Sequence, residues 1–552
     1  MKRTIITSLL SLIALFSFAQ GGNVQKASKS VFTLTTFKAD GSILATTHGV
    51  YCGAQGEAIA AFTPFIGASS AVIIDASGKK AEVEALYGAN NMYDMCRFKV
   101  ASKATTPLPI AKTAISGKAY AIGYSTKKAA ITPLTVKSTE AFKDKYTYYV
   151  FNEEINEDIE GCPIVNDNGE LVGLVQRSKT TYDIHSTDAK YYSELISTGL
   201  ASHDPALQKT KIRVALPDDK EQARLMLLMI DSRTDSIDVV NTVGDFNKLF
   251  PEDIDGYSAM TRYQVSRGNI DAATASMENA IKNVKDKDEA YYEYAKQMYN
   301  VVTAMPDSME SSWNLTKAAD LAEKAIAIKS SPMYKHLLAQ IKYSQLDFEG
   351  AKNIFEEVSE SEIANSEIYY EIAQCKSQLG AENKDVIEDL NKAVEKCPKP
   401  LTPASAPYFL ARGITLDAIG EHRAALKDYN VYDTLMYFRA SPDFYYTRFK
   451  CEVQLRQFQQ ALNDIAHAAF LNPGELTYLA EMASLQLRVG RYEDAIKTCN
   501  LCLSATEEYA DIYIIKGVAL ARLERKEEAK ESFKKASELG DPRGEENLKK
   551  YQ

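Results

Sequence analysis

Residues 156–175 read NEDIEGCPIVNDNGELVGLV, and this stretch decides how the first third of the chain is read. Gly161, Cys162 and Pro163 lead into two apolar residues, Asn166–Gly169 is a polar turn closed by glycine, and Leu171–Val175 is a second apolar run. That is the pattern of two short strands joined by a tight turn. Similar β-rich runs, VFTLTTF from Val31, AVIID from Ala71, EVEALY from Glu82 and YTYYVF from Tyr146, are separated by Gly, Asp, Asn and Ser clusters. Many short strands between turn signals predict an all-β barrel or sandwich from about Ser28 to Arg177.

Beyond about Asp219 the period changes, with apolar residues three and four apart in segments of helical length. Ala425, Ala461, Ala495 and Ala529 recur at spacings of 36, 34 and 34 residues, and Ala351, Ala318 and Ala273 continue the series upstream less regularly. A period of 34 residues resembles that of tetratricopeptide repeats (TPR). The last copy carries Gly517 in its first helix, Ala529, Phe533 and Ala536 along its second and Pro542 at its end, close to that family's consensus. Another copy keeps Ala461, Ala468 and Pro473 in register but places bulky Phe449 where a small residue is usual. Small residues recur because paired helices must approach closely before the larger ones interlock. About seven copies are expected between Asp255 and Asp541, with an insertion around residues 290–312.

The domains expected are therefore a signal peptide over 1–19, a β-rich head over 28–200, a linker over 201–219, a helical repeat domain over 220–542 and a tail over 543–552. The signal peptide is read from Lys2 and Arg3 before the apolar run Ile5–Phe18, with small Ser17 and Ala19 before Gln20. That run is too short to span a bilayer, and no later stretch reaches the roughly 18 apolar residues needed, so a mature chain without a transmembrane segment is expected. A composition 45% apolar and 25% charged is that of a globular protein, and a net charge of −10 without a basic cluster argues against a nucleic-acid partner. Eight scattered cysteines lack the spacing of a disulfide framework and read as buried thiols. Cys499 and Cys502 spell C-x-x-C late in a predicted helix, where no helix N-terminus lowers a thiol pKa. There is no H-E-x-x-H, Ca²⁺-loop spacing or glycine-rich phosphate loop, so neither metal nor cofactor is expected.

Three segments of the head resemble the HtrA-like branch of trypsin-fold serine proteases across residues 30–178. In THGVYCGAQGEAIAAFTPF the family's G-S-G-F strand falls on Thr47–Val50 and its catalytic histidine on Thr63. In YDMCRFKV its aspartate is kept as Asp94. In NEDIEGCPIV its G-N-S-G-G-P-L gives Asp158 and Ile159, then Glu160 for the nucleophilic serine, then Gly161, Cys162, Pro163 and Ile164. The resemblance implies a trypsin-like double β-barrel, followed by an all-α TPR superhelix, in a multidomain β + α chain. It also implies that the triad is degenerate. A triad needs an imidazole to take the hydroxyl proton, a carboxylate to hold that imidazole's tautomer, and a hydroxyl to attack. Thr63 is no base at neutral pH and Glu160 is a poor acyl-transfer nucleophile, which leaves Asp94 with nothing to orient.

The expectation is an exported, non-catalytic interaction protein, a pseudoprotease head on a repeat scaffold that binds peptide segments or protein partners of the cell envelope. The combination resembles Gram-negative envelope proteins, which implies a periplasmic location, with secretion or outer-membrane association left open. The alternative is an active peptidase or hydrolase built on another constellation, such as His48 with Glu160 or Asp94. A third reading makes the head a folded cap on a chaperone-like repeat array. The register of Ala461, Ala495 and Ala529 assigns Ile414, Asp417, Tyr446, Lys450, Gln454, Ser484, Arg488, Ile514 and Arg522 to the concave groove, where the three cations Lys450, Arg488 and Arg522 suit an acidic segment or a terminal carboxylate.

Overall fold

A computed structural model describes residues 22–102, 105–125, 128–178, 180–229, 236–304, 312–437 and 439–551. The expected signal peptide, 1–19, lies outside them. The chain divides into two compact units, one ending at Tyr294 and the other beginning at Ala295.

In the first unit, thirteen strands among the described residues form two barrel-like sheets. β1 (Val31–Phe37), β2 (Ile43–Tyr51), β3 (Glu57–Ala60), β4 (Ser70–Ile74), β5 (Lys80–Asn90) and β6 (Met95–Val100) close a barrel in the order β1-β2-β3-β6-β5-β4. β7 (Lys118–Ser125), β8 (Lys128–Phe142), β9 (Tyr146–Glu154), β10 (Pro163–Val165), β11 (Leu171–Leu174), β12 (Gln176–Arg177) and β13 (Asp183–Thr187) form a seven-stranded antiparallel sheet ordered β11-β10-β7-β8-β9-β13-β12. Strand alternation fills the first barrel: Phe32 and Leu34 of β1 point inward with Ile73, Leu86 and Phe98, all fully buried. Gly49 pairs directly with Phe32, and a Cβ there would lie 2.5 Å from the Phe32 ring. That is why T-H-G-V carries glycine.

The segment 201–219 is not a linker. Leu207, Ile212 and Leu216 belong to the core of the first barrel. Val214 pairs in parallel with Leu86, through Leu86 N–H to Arg213 O at 2.9 Å and Ala215 N–H to Leu86 O at 2.7 Å. The alternation Ile212, Val214, Leu216 is a strand pattern that the surrounding polar residues and two prolines obscure. The helices α1 (Lys220–Met229), α2 (Ser236–Leu249), α3 (Ile254–Ser266) and α4 (Ile270–Asn283) lie in the same unit, and Val239, Val243 and Phe246 of α2 share that core.

α5 (Lys287–Ala304) spans the boundary between the units. The second unit continues with α6 (Leu315–Ile328), α7 (Pro332–Ser344), α8 (Phe348–Ser359), α9 (Ser366–Gln378), α10 (Asn383–Glu395), α11 (Ala406–Ala418), α12 (His422–Met436), α13 (Pro442–Gln454), α14 (Phe458–Leu471), α15 (Leu476–Arg488), α16 (Tyr492–Ala505), α17 (Ala510–Arg522), α18 (Lys526–Glu538) and α19 (Pro542–Lys550). Among the described residues no helix is long and apolar enough to cross a membrane. From α11 on, successive helices pair through three-residue turns, and Ala425, Ala461, Ala495 and Ala529 are all fully buried near the start of each second helix. Opposite positions complement each other in size. A Cβ on Gly517 would meet the Phe533 ring at 2.5 Å and one on Gly413 the Tyr429 ring at 2.8 Å. Where the first helix carries Phe449 instead, the second offers Ile465 in the same cluster, and where it carries Ala483, Cys499. A glycine in the first helix thus makes room for an aromatic ring from the second, whereas the other two crossings pair two large or two small residues.

The expected tail is also structured. Asp541 caps α19 by accepting from Arg543 N–H, Gly544 is buried close against the backbone of Ser537, and Tyr551 stacks on Phe533 with ring centroids 5.8 Å apart. All eight cysteines are buried free thiols, and Cys499 and Cys502 face the core from α16.

Candidate functional site

The first site gathers the residues that the sequence resemblance singles out in the head, Thr63, Asp94 and Glu160. Thr63 opens the short 3-10 turn Thr63–Phe65 after β3, and Asp94 stands just before β6, its φ of +41° turning the carboxylate back. Thr63 donates twice to Asp94 Oδ1, from its backbone N–H at 2.7 Å and its hydroxyl at 2.9 Å. Gln176 of β12 holds the same loop, its side-chain N–H reaching Tyr93 O at 2.5 Å, while Thr187 donates its hydroxyl to Tyr93 O at 3.3 Å. Asp94 therefore does orient something: a hydroxyl instead of an imidazole.

Glu160 does not stand as a lone charge. Arg177 Nη2 lies 2.6 Å and Nε 3.0 Å from Glu160 Oε2, in a pair with both side chains nearly half exposed. The turn before it is capped internally, because Asn156 Oδ1 accepts from Asp158 N–H at 3.0 Å and Ile159 N–H at 3.2 Å. Gly161 takes φ +79°, and a Cβ there would meet Thr47 Oγ1. That close approach keeps glycine at 161 whatever stands at 160.

The alternative constellation can be judged from its geometry. His48 is in contact with Cys162, Nδ1 to Sγ 3.4 Å, and its Nε2 accepts from Tyr124 N–H at 3.0 Å. The backbone donor fixes Nε2 as the unprotonated nitrogen, so Nδ1 carries the proton and points at sulfur. Burial depresses the His48 pKa and, with the nearby Asp158 charge, pushes the Cys162 thiol up to about 12. A thiol facing an N–H rather than a lone pair, and held in its protonated form, is not an activated nucleophile. Neither Glu160 nor Asp94 is a hydrogen-bond partner of His48 among the described residues. His185 lies in β13 and bonds Thr181 Oγ1 at 3.2 Å.

The second site lies between α13 and α15. A cavity of about 180 Å³ is lined by Lys450, Gln454, Glu481, Ser484 and Arg488 above an apolar floor that includes Phe449 and Leu485. Four of the residues assigned to the groove from sequence thus meet around one hollow. Tyr446 borders it: Lys450 Nζ sits 4.7 Å from the Tyr446 ring centroid, and that ring meets Tyr478 at 5.3 Å. Neither Lys450 nor Arg488 has an ion-pair partner within 4.0 Å among the described residues. Glu481, which no sequence signal singled out, is the carboxylate that shares the cavity. Ile514 is not a groove residue; it is buried with Ala495, Ile496 and Phe533, because that face of α17 turns toward α16 and α18. Arg522 is exposed at the end of α17 but does not line this cavity, and Ile414 is about half exposed. Asp417 turns away to bond His422, Oδ1 to Nδ1 2.6 Å, in a cluster with Cys451 that could hold a metal ion.

No family model matches the chain. A curated relative, the BBSome complex member BBS4 of Bos taurus, is 23% identical over 225 residues, or 40% of this chain, and the chain spans 41% of that protein's length. Solved structures similar to part of the chain include an HtrA-type protease, AlgW, with a tripeptide (18% identity, TM-score 0.28, covering 32% of this chain and 61% of that one). The serine endoprotease from Yersinia pestis matches at 18% identity and TM-score 0.28, covering 32% of this chain and 64% of that one. The Rv3671c protease of M. tuberculosis, in its active form, matches at 13% identity and TM-score 0.28, covering 31% and 82% respectively.

Proposed function

We propose that this chain is an exported, non-catalytic interaction scaffold: a trypsin-like head without hydrolytic activity, joined to TPR-type repeats whose groove binds acidic peptide segments of envelope partner proteins. The observation that carries the reading is the cavity where Lys450 and Arg488 face one hollow with the hydrogen-bonding groups of Gln454 and Ser484. Two cations without ion-pair partners in a chain of net charge −10 favour an anionic ligand, and Arg488 suits a carboxylate bidentately. The apolar floor of Phe449 and Leu485 adds room for a side chain beside that carboxylate. Similarity to a member of a multiprotein complex agrees with an interaction role.

The inert head is supported by Thr63 satisfying Asp94, by Arg177 neutralising Glu160, and by His48 presenting N–H rather than a lone pair to Cys162. Export rests on the leader pattern of residues 1–19 alone.

Fluorescence anisotropy of the full-length protein with labelled acidic peptides, bearing a free or an amidated C-terminus, tests the groove. Binding should weaken steeply with salt, and Lys450→Glu with Arg488→Glu should reduce affinity at least tenfold at unchanged helix content. Equal binding by the folded double variant would remove the groove from the function.

A further inference from the structure

The turn between α11 and α12 gathers three groups that the proposed function does not use. Asp417 stands one residue before the end of α11, His422 is the first residue of α12, and Gly420 between them takes φ +82°. The chain therefore doubles back within five residues, bringing His422 Nδ1 2.6 Å from Asp417 Oδ1. Cys451 of α13, the first helix of the next pair, is fully buried against the same turn, its Sγ 3.3 Å from the His422 carbonyl. One oxygen, one nitrogen and one sulfur atom thus lie within 4.8 Å of one another.

An independent feature marks the same spot. Tyr429 of α12 is fully buried, and its hydroxyl has no hydrogen-bond partner among the described residues. Its ring packs over Gly413, four residues before Asp417 and so on the same face of α11. Burial, then the charges of Asp417 and Cys451, oppose its ionisation, which leaves a neutral donor beside the cluster. An unsatisfied buried hydroxyl is destabilising, so one that persists calls for an acceptor.

We infer that Asp417, His422 and Cys451 form a site for a borderline-soft divalent transition ion, zinc being the best match, that clips the α11–α12 turn to α13. A thiolate and an imidazole select against Ca²⁺ and Mg²⁺, which take oxygen ligands. Three protein ligands leave a fourth tetrahedral position for water, toward which the Tyr429 hydroxyl can donate. Bonds of about 2.0–2.3 Å to a tetrahedral centre separate ligand atoms by roughly 3.2–3.8 Å. Asp417 and His422, whose side chains are 22% and 29% exposed, therefore open slightly from their present contact. On binding, Cys451 releases its thiol proton to solvent and an imidazole in its neutral form at His422 moves its proton from Nδ1 to Nε2, so each ion bound frees one proton. Because ligation requires the thiol to lose its proton, binding strengthens as pH rises.

The test uses full-length protein, stripped with chelator and titrated with Co²⁺ alone, then with Zn²⁺. One equivalent of cobalt should give a thiolate charge-transfer band with tetrahedral visible bands. Zinc should displace it with release of about one proton per ion and raise the melting temperature of the repeats. Cys451→Ser should abolish the charge-transfer band. Since Cys451 is core-packed, His422→Gln, at a half-buried site and checked by circular dichroism, is the second arm and should weaken cobalt binding at least the roughly 10–100-fold that even outer partners of metal sites carry. Cys499→Ser should change nothing. No band from wild type, or a band that survives in His422→Gln at equal affinity, overturns the site.

Discussion

Thr63 and Asp94 are joined by two hydrogen bonds to one carboxylate oxygen, at 2.7 Å from the backbone N–H and 2.9 Å from the hydroxyl. The carboxylate that would hold an imidazole instead anchors the turn after β3 to the loop before β6. Its role is then structural, and Asp94→Ala should destabilise the head by about 0.5–1.5 kcal/mol through loss of the two bonds, water taking over the exposed Thr63 donors, whereas Thr63→Ser should be nearly neutral. Urea unfolding followed by the strand signal of circular dichroism measures both. A neutral Asp94→Ala would mean the pair holds nothing.

Glu160 and Arg177 form an exposed pair, which double-mutant cycles elsewhere place at about 0–1 kcal/mol. Glu160→Ser should therefore be well tolerated and yet remain unlabelled by fluorophosphonate, because a serine there meets no base at Thr63. Labelling of that variant would show that another residue serves as base and would end the inert-head reading.

Residues 201–219 mark the limit of reading composition. Pro205 and Pro217, with the charges around them, suggested a linker, but Ile212, Val214 and Leu216 alternate and pair beside Leu86. Proteases should spare this segment in the native protein. Ile212→Ala should cost about 2–4 kcal/mol of head stability, as deletion of a buried branched side chain does. Early cleavage between residues 201 and 219 would contradict the packing.

The buried alanines were legible because close helix crossings impose small residues at a fixed period, and four of the positions that register assigns, Lys450, Gln454, Ser484 and Arg488, line one cavity. The register failed at Ile514, where groove-facing and core-facing positions lie one residue apart on α17 and only packing against Ile496 and Phe533 decides. The order of the three head segments was legible, whereas the partners of Glu160 and His48 were not, since Arg177 and Tyr124 reach them from other strands. The grouping of Asp417 with His422 and Cys451 was not legible because His422 and Cys451 are 29 positions apart, at the start of α12 and late in α13.

His336 of α7 bonds Glu371 of α9 at 2.6 Å. Burial alone would lower the His336 pKa, but the hydrogen bond and charge of Glu371, with the charge of Glu367, outweigh it and raise the pKa above 6.5. A raised histidine contributes stability that is fully present below pH 6.5 and lost as pH climbs through the folded value. The gap in melting temperature between wild type and His336→Gln should accordingly be widest near pH 6 and shrink toward pH 9. A gap independent of pH would show that the ion pair adds nothing.

The turns within the helix pairs place one residue in the left-handed region, always two after the first helix ends. It is glycine at 268, 380, 420 and 490 but Leu346, Arg456 and Glu524 in the other turns. For a residue with a Cβ that conformation costs roughly 1–2 kcal/mol. Glycine avoids this cost but gives back part of the gain through its freer unfolded chain, worth about 0.4–1 kcal/mol. Glu524 is exposed and its side chain makes no ion pair among the described residues, so Glu524→Gly should raise stability by about 0.5–1 kcal/mol. The converse, Gly490→Ala, should lower it by a similar amount, since the space around Gly490 is open and only the backbone angle of φ +82° resists a side chain. Urea unfolding at the helical signal reads both changes. Two shifts of opposite sign are expected, and a destabilised Glu524→Gly would assign the glutamate a contact that outweighs its backbone strain.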